Sequence, residues 1–132
     1  MFPLNYVKKQ CQMIAKCFVK SGIDGLDSDD FAEKILTTEY GVMVLTDRRM
    51  IEYSDSNFMY EGFRKNLTFK KGKCYAQEIL EFAGYLYKYW ISTRNAQPQD
   101  IYKKAPLKLL ATRYGFYHTQ DIDYIINDII SR

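Results

Sequence analysis

Apolar side chains recur at steps of three and four residues from the start of the chain. Over residues 4–20 they form the stripe Leu4, Val7, Cys11, Ile14, Cys17 and Phe18. That spacing is the period of an amphipathic helix, so we expect a first helix over 4–20. Gly22 and Gly25 favour a break. Asp27 or Ser28 can then cap a second helix, whose apolar stripe is Phe31, Ile35 and Leu36.

The stretch that follows is less regular. We expect the second helix to end at Tyr40–Gly41, before the short apolar run 42–45. Periodicity does not assign this run to a helix or a strand. No alternating strand is available to pair with it, and an isolated strand would leave its backbone groups unsatisfied, so we predict a short helix. Ser54 or Ser56 can cap the next helix, which should end near Asn66.

The strongest helical pattern lies in residues 74–92, after a polar turn predicted at 70–73. Its broad apolar face consists of Ile79, Phe82, Ala83, Leu86, Tyr87, Trp90 and Ile91. Gly84 lies inside this pattern, although glycine costs about 1 kcal/mol relative to alanine within a helix. We therefore predict that another element crosses this helix closely at Gly84.

Two prolines and a threonine divide the rest of the chain. Pro98 and Pro106 each suit the first turn of a helix, which predicts short helices over 98–104 and 106–113. Thr119 can cap a last helix with the buried stripe Ile122, Ile125, Ile126, Ile129 and Ile130.

The pattern as a whole predicts an all-α fold. The chain has 132 residues, 47% of them hydrophobic and 27% charged, which is enough apolar surface for one core. It contains no linker, internal repeat or low-complexity tract. We expect residues 1–132 to form a single compact helical domain of about six or seven helices around a central helix near residues 74–92.

Aromatic residues make up 16% of the chain, including twelve tyrosines. Large rings with polar tips are typical of cores and of protein interfaces. Tyr85 and Tyr89 lie off the apolar stripe of the central helix, so they either pack under another helix or stay exposed. Exposed tyrosine beside tryptophan is typical of a protein interface, which predicts the partner-binding set Tyr85, Tyr89, Trp90, Tyr117 and His118.

Charge is distributed in blocks, although the net charge is only +3. Acidic residues concentrate in 24–39. Two basic segments contain Arg64, Lys65, Lys70, Lys71 and Lys73, and then Lys103, Lys104, Lys108 and Arg113. Because aromatic residues interleave with these cations, the alternative hypothesis is a nucleic-acid-binding or regulatory protein that uses both segments.

No catalytic or metal-binding motif stands out. Cys11, Cys17 and Cys74 match neither zinc-site nor redox spacing, so we interpret them as reduced core thiols. His118 is the only histidine and is expected to be structural, although Cys74 could approach it in space to form an enzyme site. We predict no enzyme activity, no metal and no cofactor.

Localisation follows from two absences in the sequence. The N-terminus lacks a charged region followed by an apolar one, as a secretory signal would have. No apolar run approaches the roughly 20 residues of a membrane helix. We therefore expect a cytoplasmic protein that does not associate with a membrane.

Three segments of the C-terminal half carry a family resemblance: Gly84–Trp90, Ile101–Pro106 and Tyr117–Asp121. Over roughly residues 75–130 the chain resembles a group of small uncharacterised bacterial proteins, some of them encoded beside genes for toxin-like products. The resemblance implies an antitoxin-like or accessory binding role. Together with the aromatic excess, it favours a non-enzymatic protein-interaction module.

Overall fold

The structure is a computed structural model that describes residues 4–47 and 55–132. These residues form α1 Leu4–Ile23, α2 Ser28–Thr37, α3 Glu39–Thr46, α4 Ser56–Asn66, α5 Gln77–Arg94, α6 Pro98–Lys104, α7 Leu107–Tyr117 and α8 Ile122–Ile130. The all-α prediction is confirmed, with eight helices in the described residues instead of six or seven. None of these helices is both long and apolar enough to cross a lipid bilayer.

The core is built around α5, which packs against α1, α3, α6 and α7. Its closest neighbour is α1. A Cβ atom added to Gly84 would lie 2.9 Å from the Cα of Ala15 and 2.8 Å from Cδ1 of Phe18. The glycine therefore permits backbone contact between the two helices, which confirms the predicted close crossing.

Aromatic rings fill the centre of this core. Phe18 meets Phe31 edge to face at 5.2 Å between ring centroids, and Tyr87 at 5.9 Å. The Tyr87 ring is fully buried, and its hydroxyl donates a hydrogen bond to the carbonyl of Ala105 at 2.7 Å. A large part of the aromatic excess thus stabilises the fold, because each buried ring removes a large apolar area from water.

Helix caps set several boundaries. Asp27 caps α2 as predicted, since its carboxylate accepts from the amide of Asp30 at 2.9 Å. The expected end of the second helix at residues 40–41 is wrong. The helix ends at Thr37, and the hydroxyl of Thr38 accepts from the amide of Gly41 to begin α3. The predicted short helix at 42–45 is confirmed as the end of α3.

Two other predicted caps are replaced by neighbouring aspartates. Asp55 caps α4, where Ser56 was a candidate, and Ser54 lies outside the described residues. Asp121 caps α8, where we expected Thr119. A carboxylate is the better acceptor at a helix N-terminus because it also complements the helix dipole.

Residues 67–76 form an extended strap, not the isolated turn predicted at 70–73. Backbone amides of the α1–α2 loop pair with it: Asp27 donates to the carbonyl of Lys70 and Ser28 to that of Lys73, both at 2.9 Å. The Asp30 carboxylate accepts from the amide of Lys70 at 3.0 Å. The acidic block of the sequence is therefore the surface that holds the basic strap.

Candidate partner-binding groove

An open groove lies between α5, α7 and α8. Its volume is about 400 Å³, and its aromatic lining consists of Phe82, Tyr85, Tyr114, Tyr117 and His118. The groove brings Tyr85 of the predicted partner-binding set together with Tyr117 and His118, which lie about 30 residues further along the sequence. We take it as the candidate functional site.

One wall of the groove is a fixed stack of rings. Tyr114 and His118 lie one helical turn apart and stack at 4.7 Å with 14° between their planes. Phe82 of α5 meets Tyr114 at 5.4 Å in a T-shaped contact. Nδ1 of His118 lies 2.7 Å from the carbonyl oxygen of Tyr114, so Nδ1 carries a proton, because a carbonyl oxygen only accepts. These contacts hold the wall in place before any partner binds.

The floor is apolar and firmly held. Leu86 of α5 and Ile125 of α8 are buried there, beside the ring of Tyr117. The Tyr117 hydroxyl donates to the carboxylate of Asp128 at 2.6 Å and accepts from Arg113 at 3.1 Å. Burial, and then the hydrogen bond to Asp128, raise the pKa of Tyr117 above its ordinary value.

The rim is acidic. Glu78 and Glu81 are exposed on α5, and neither forms an ion pair with any other described residue. Among the residues that the structure describes, no lysine or arginine lines the groove. The groove therefore has a negative edge on a chain whose net charge is +3.

Exposed rings continue the surface beside the groove. Phe116 of α7 is 52% exposed and Tyr124 of α8 is 46% exposed. Their ring centroids lie 6.4 Å apart, and Phe116 also contacts the ring of Tyr117 at 5.9 Å. Large exposed rings beside a cavity are typical of a binding surface.

The five residues predicted to bind a partner have different environments. Tyr85 is half-buried and His118 exposed in the groove, whereas Tyr117 forms part of its buried floor. Trp90 of α5 is only 2% exposed and, unlike Tyr117, does not line the groove. Its assignment to a partner surface is therefore wrong, and the ring belongs to the core. Tyr89 is half-buried, and its hydroxyl donates to Asp123 at 3.1 Å, which fastens α8 to α5.

Sequence reasoning assigned eight of the lining residues to no site. It placed four of them on apolar helix stripes, Phe82, Leu86, Ile122 and Ile125, and it did not single out Glu78, Glu81, Tyr114 and Gln120. The signal that could have found three of them is a spacing of four. Glu81 precedes Tyr85 by one helical turn, Tyr114 precedes His118 by the same step, and Glu78 lies one turn before Phe82. Residues at this spacing share a helix face.

The basic segments are partly used within the fold. Arg64 pairs with Asp24 at 2.9 Å, and Arg113 donates to the hydroxyl of Tyr117. The lysines of both segments are exposed: Lys65, Lys70, Lys71 and Lys73, and then Lys103, Lys104 and Lys108. The two arginines, which would recognise a phosphate best, therefore already have partners.

The cysteines support no catalytic pair. Cys11 and Cys17 are buried as expected, and burial raises the pKa of each thiol to about 12. Cys74 is exposed on the strap, which contradicts its interpretation as a core thiol. Its Sγ donates to the carbonyl of Leu26 at 3.2 Å, whereas the ring of His118 contacts Tyr114.

Residues 4–47 and 55–132 contain no group of three or more His, Cys, Asp or Glu side chains placed to hold a metal ion. The candidate site therefore consists of rings, an apolar floor and two carboxylates.

Comparison with known proteins assigns no family to the chain. No protein-family model, no curated protein and no solved structure matches it. The resemblance to a group of small bacterial proteins stays a prediction. What the chain does must therefore be inferred from the groove.

Proposed function

We propose that this chain is a non-enzymatic protein-interaction module whose groove between α5, α7 and α8 binds a segment of another protein. The observation that carries the proposal is the groove itself, which Tyr85 and His118 both line beside an apolar floor. Tyrosine is enriched at binding hot spots because it combines apolar area with a polar tip.

Preorganisation supports this function. The stack of Tyr114 and His118, with its hydrogen bond to the backbone, fixes the rings of the wall. A surface that is already ordered loses less side-chain entropy on binding, so more of the contact energy appears as affinity.

The partner that fits the resemblance best is a toxin, which this module would neutralise in the cytoplasm. Support for that compartment comes from the cysteines: Cys11, Cys17 and Cys74 are all free. Free thiols are typical of proteins kept in a reducing environment.

The test is an affinity pull-down of the tagged chain from its native cytoplasm, followed by mass spectrometry. We expect a stoichiometric protein that survives nuclease and high salt. Tyr85→Ala combined with His118→Ala should weaken its binding at least tenfold, since hot-spot truncations cost about 2 kcal/mol or more. Binding is measured with the purified partner.

Phe58→Ala is the matched control, because Phe58 is 67% exposed on α4 and lies outside the groove. It should leave binding unchanged. If the partner binds the double variant as tightly as the wild type, the groove is not its site. Circular dichroism and urea unfolding of each variant separate loss of contact from loss of fold.

The second candidate is a nucleic-acid-binding or regulatory protein. The observation that favours it is the exposed lysine group of the strap and α4: Lys65, Lys70, Lys71 and Lys73. Phosphate contacts release counterions, so this function predicts a steep loss of affinity with salt. Retention of nuclease-sensitive material alone, lost when these lysines become glutamine, would establish it in place of the groove.

A further inference from the structure

We propose that the partner segment presents an arginine side chain to the groove, with its guanidinium between the aromatic wall and the two glutamates of the rim. This inference rests on the proposed function and names the chemistry that the groove recognises. Three features of the groove favour an arginine: its floor, its wall and its charge.

The floor suits the aliphatic part of a long basic side chain. Leu86 and Ile125 supply buried methyl groups at the base of the groove. Long basic side chains lay their methylene stems along such apolar surface while the charged head stays near water.

The wall suits the head group. The nearly parallel rings of Tyr114 and His118 form a flat stack, and Phe82 and Tyr85 bring two further rings to the groove. Cations are attracted to the faces of aromatic rings, and a planar guanidinium can also stack on them. Four rings in one open groove therefore favour a flat cation.

The rim supplies the opposite charge. Glu78 and Glu81 are three residues apart on α5 and line the same groove, so both carboxylates border one site. Within residues 4–47 and 55–132, no side chain forms an ion pair with either glutamate and no lysine or arginine lines the groove. An acidic segment would be repelled here, whereas a cation restores the balance of charge.

Arginine fits this combination better than lysine. Its guanidinium is planar and weakly hydrated, stacks on rings and donates through a fork that matches carboxylates. An ammonium is a strongly hydrated point charge, which gains less from a flat ring stack. The predicted order is therefore arginine, then lysine, then any neutral residue.

The first experiment is an NMR titration of the isotope-labelled chain with N-acetyl-arginine amide. We expect shifts confined to the amides of the groove, such as those of Phe82, Tyr85 and His118, with a dissociation constant on the order of millimolar. N-acetyl-citrulline amide has nearly the same shape without the charge and should shift the same amides far less. Equal shifts with citrulline, or none with arginine at its solubility limit, would overturn the inference.

The second experiment removes the charge of the rim. Glu78→Gln with Glu81→Gln should lower the affinity for N-acetyl-arginine amide about three- to tenfold, as expected for the loss of two exposed charge contacts. Glu33→Gln with Glu61→Gln is the control, since both residues are exposed and lie outside the groove. It removes the same net charge and should leave the titration unchanged.

The same variants, measured with the purified partner, separate the two proposals. If the ring variant Tyr85→Ala/His118→Ala and the rim variant both lose binding, the proposal of a partner arginine is supported. If only the ring variant loses binding, the arginine proposal is overturned and the proposal of an interaction groove stands. Unchanged binding in every variant overturns both.

Discussion

Two residues of α5 depart from what their type predicts. Gly84 lies in the middle of the central helix because α1 leaves no room for a side chain there. Lys88 is only 4% exposed, and its ammonium group donates to the carbonyl of Leu45 at 2.7 Å, near the end of α3. A lysine side chain is usually exposed to solvent, but that of Lys88 is buried and joins α5 to α3.

Gly84→Ala should lower the free energy of unfolding by about 1–3 kcal/mol, the usual cost of overpacking a core. Alanine improves helix propensity by about 1 kcal/mol, but its Cβ would collide with Ala15 and Phe18. Urea unfolding measures the difference.

Gly115→Ala is the matched control in α7, because a Cβ added there meets nothing within 4 Å. It should raise the free energy of unfolding by about 0.5–1 kcal/mol. If both substitutions shift stability in the same direction, the close crossing of α1 and α5 is not the reason for Gly84.

At the scale of elements, the strap over residues 67–76 is held to α2 through its backbone, by two charged side chains of α2. The Asp30 side chain is only 9% exposed and accepts from Lys34 at 3.2 Å as well as from the amide of Lys70. Lys34 also donates to the carbonyl of Thr68. One carboxylate and one ammonium thus attach the strap to α2.

Cys74 is the thiol that reports on this attachment, since it is exposed on the strap while the other two cysteines are buried. We expect a thiol reagent to modify one cysteine in the folded chain and three in denaturant. Asp30→Ala should raise the rate at which Cys74 is modified about tenfold. Loss of the bond from the amide of Lys70 makes it easier for the strap to open and for the Cys74 thiol to leave its hydrogen bond to the carbonyl of Leu26.

Asp100→Ala is the matched control, because Asp100 lies in the first turn of α6 as Asp30 lies in the first turn of α2. It removes an aspartate from the same place in a helix without touching the strap. It should leave the labelling rate of Cys74 unchanged. Equal rates in Asp30→Ala and the wild type would show that the backbone pairing alone holds the strap.

Across the whole molecule, tyrosine hydroxyls tie separate segments of the fold together by donating to aspartates. Tyr60 donates to Asp24 at 2.6 Å and Tyr75 to Asp29 at 3.1 Å. Tyr89 and Tyr117 do the same with Asp123 and Asp128. Each pair needs a neutral tyrosine, because a phenolate would face a carboxylate.

Stability should therefore fall steeply in alkali. Burial, followed by its hydrogen bond to Asp24, raises the pKa of Tyr60 to about 12. Burial, followed by the charge of Asp29, raises the pKa of Tyr75 to about 12. The pKa of a tyrosine in the unfolded chain is about 10. The contribution of Tyr60 and Tyr75 to the free energy of unfolding is therefore complete below that pH, and it is lost as the pH rises towards their pKa in the folded chain.

Urea unfolding at a series of pH values, with tyrosinate absorbance recorded in parallel, measures this loss. Tyr60→Phe with Tyr75→Phe should lower stability near neutral pH but make it less dependent on pH in alkali. A wild-type stability that stays constant above pH 10 would contradict the assignment of neutral, hydrogen-bonded tyrosines.

Helical periodicity and turn residues predicted the elements well because both are local properties. The stripe from Val7 to Phe18 gave α1, and the prolines at 98 and 106 marked the starts of α6 and α7. Caps were harder to assign, as at Asp55 and Asp121, because neighbouring serine, threonine and aspartate residues compete for one role.

The sequence by itself determined the all-α class, most helix positions and the close crossing at Gly84, since these follow from spacing along one segment. Only the tertiary structure decided that Trp90 is buried, that Cys74 is exposed and that Tyr85 and His118 line one groove. Periodicity shows which face of a helix is apolar, but not which other helix covers it. The groove exists because α7 and α8 leave part of the face of α5 open.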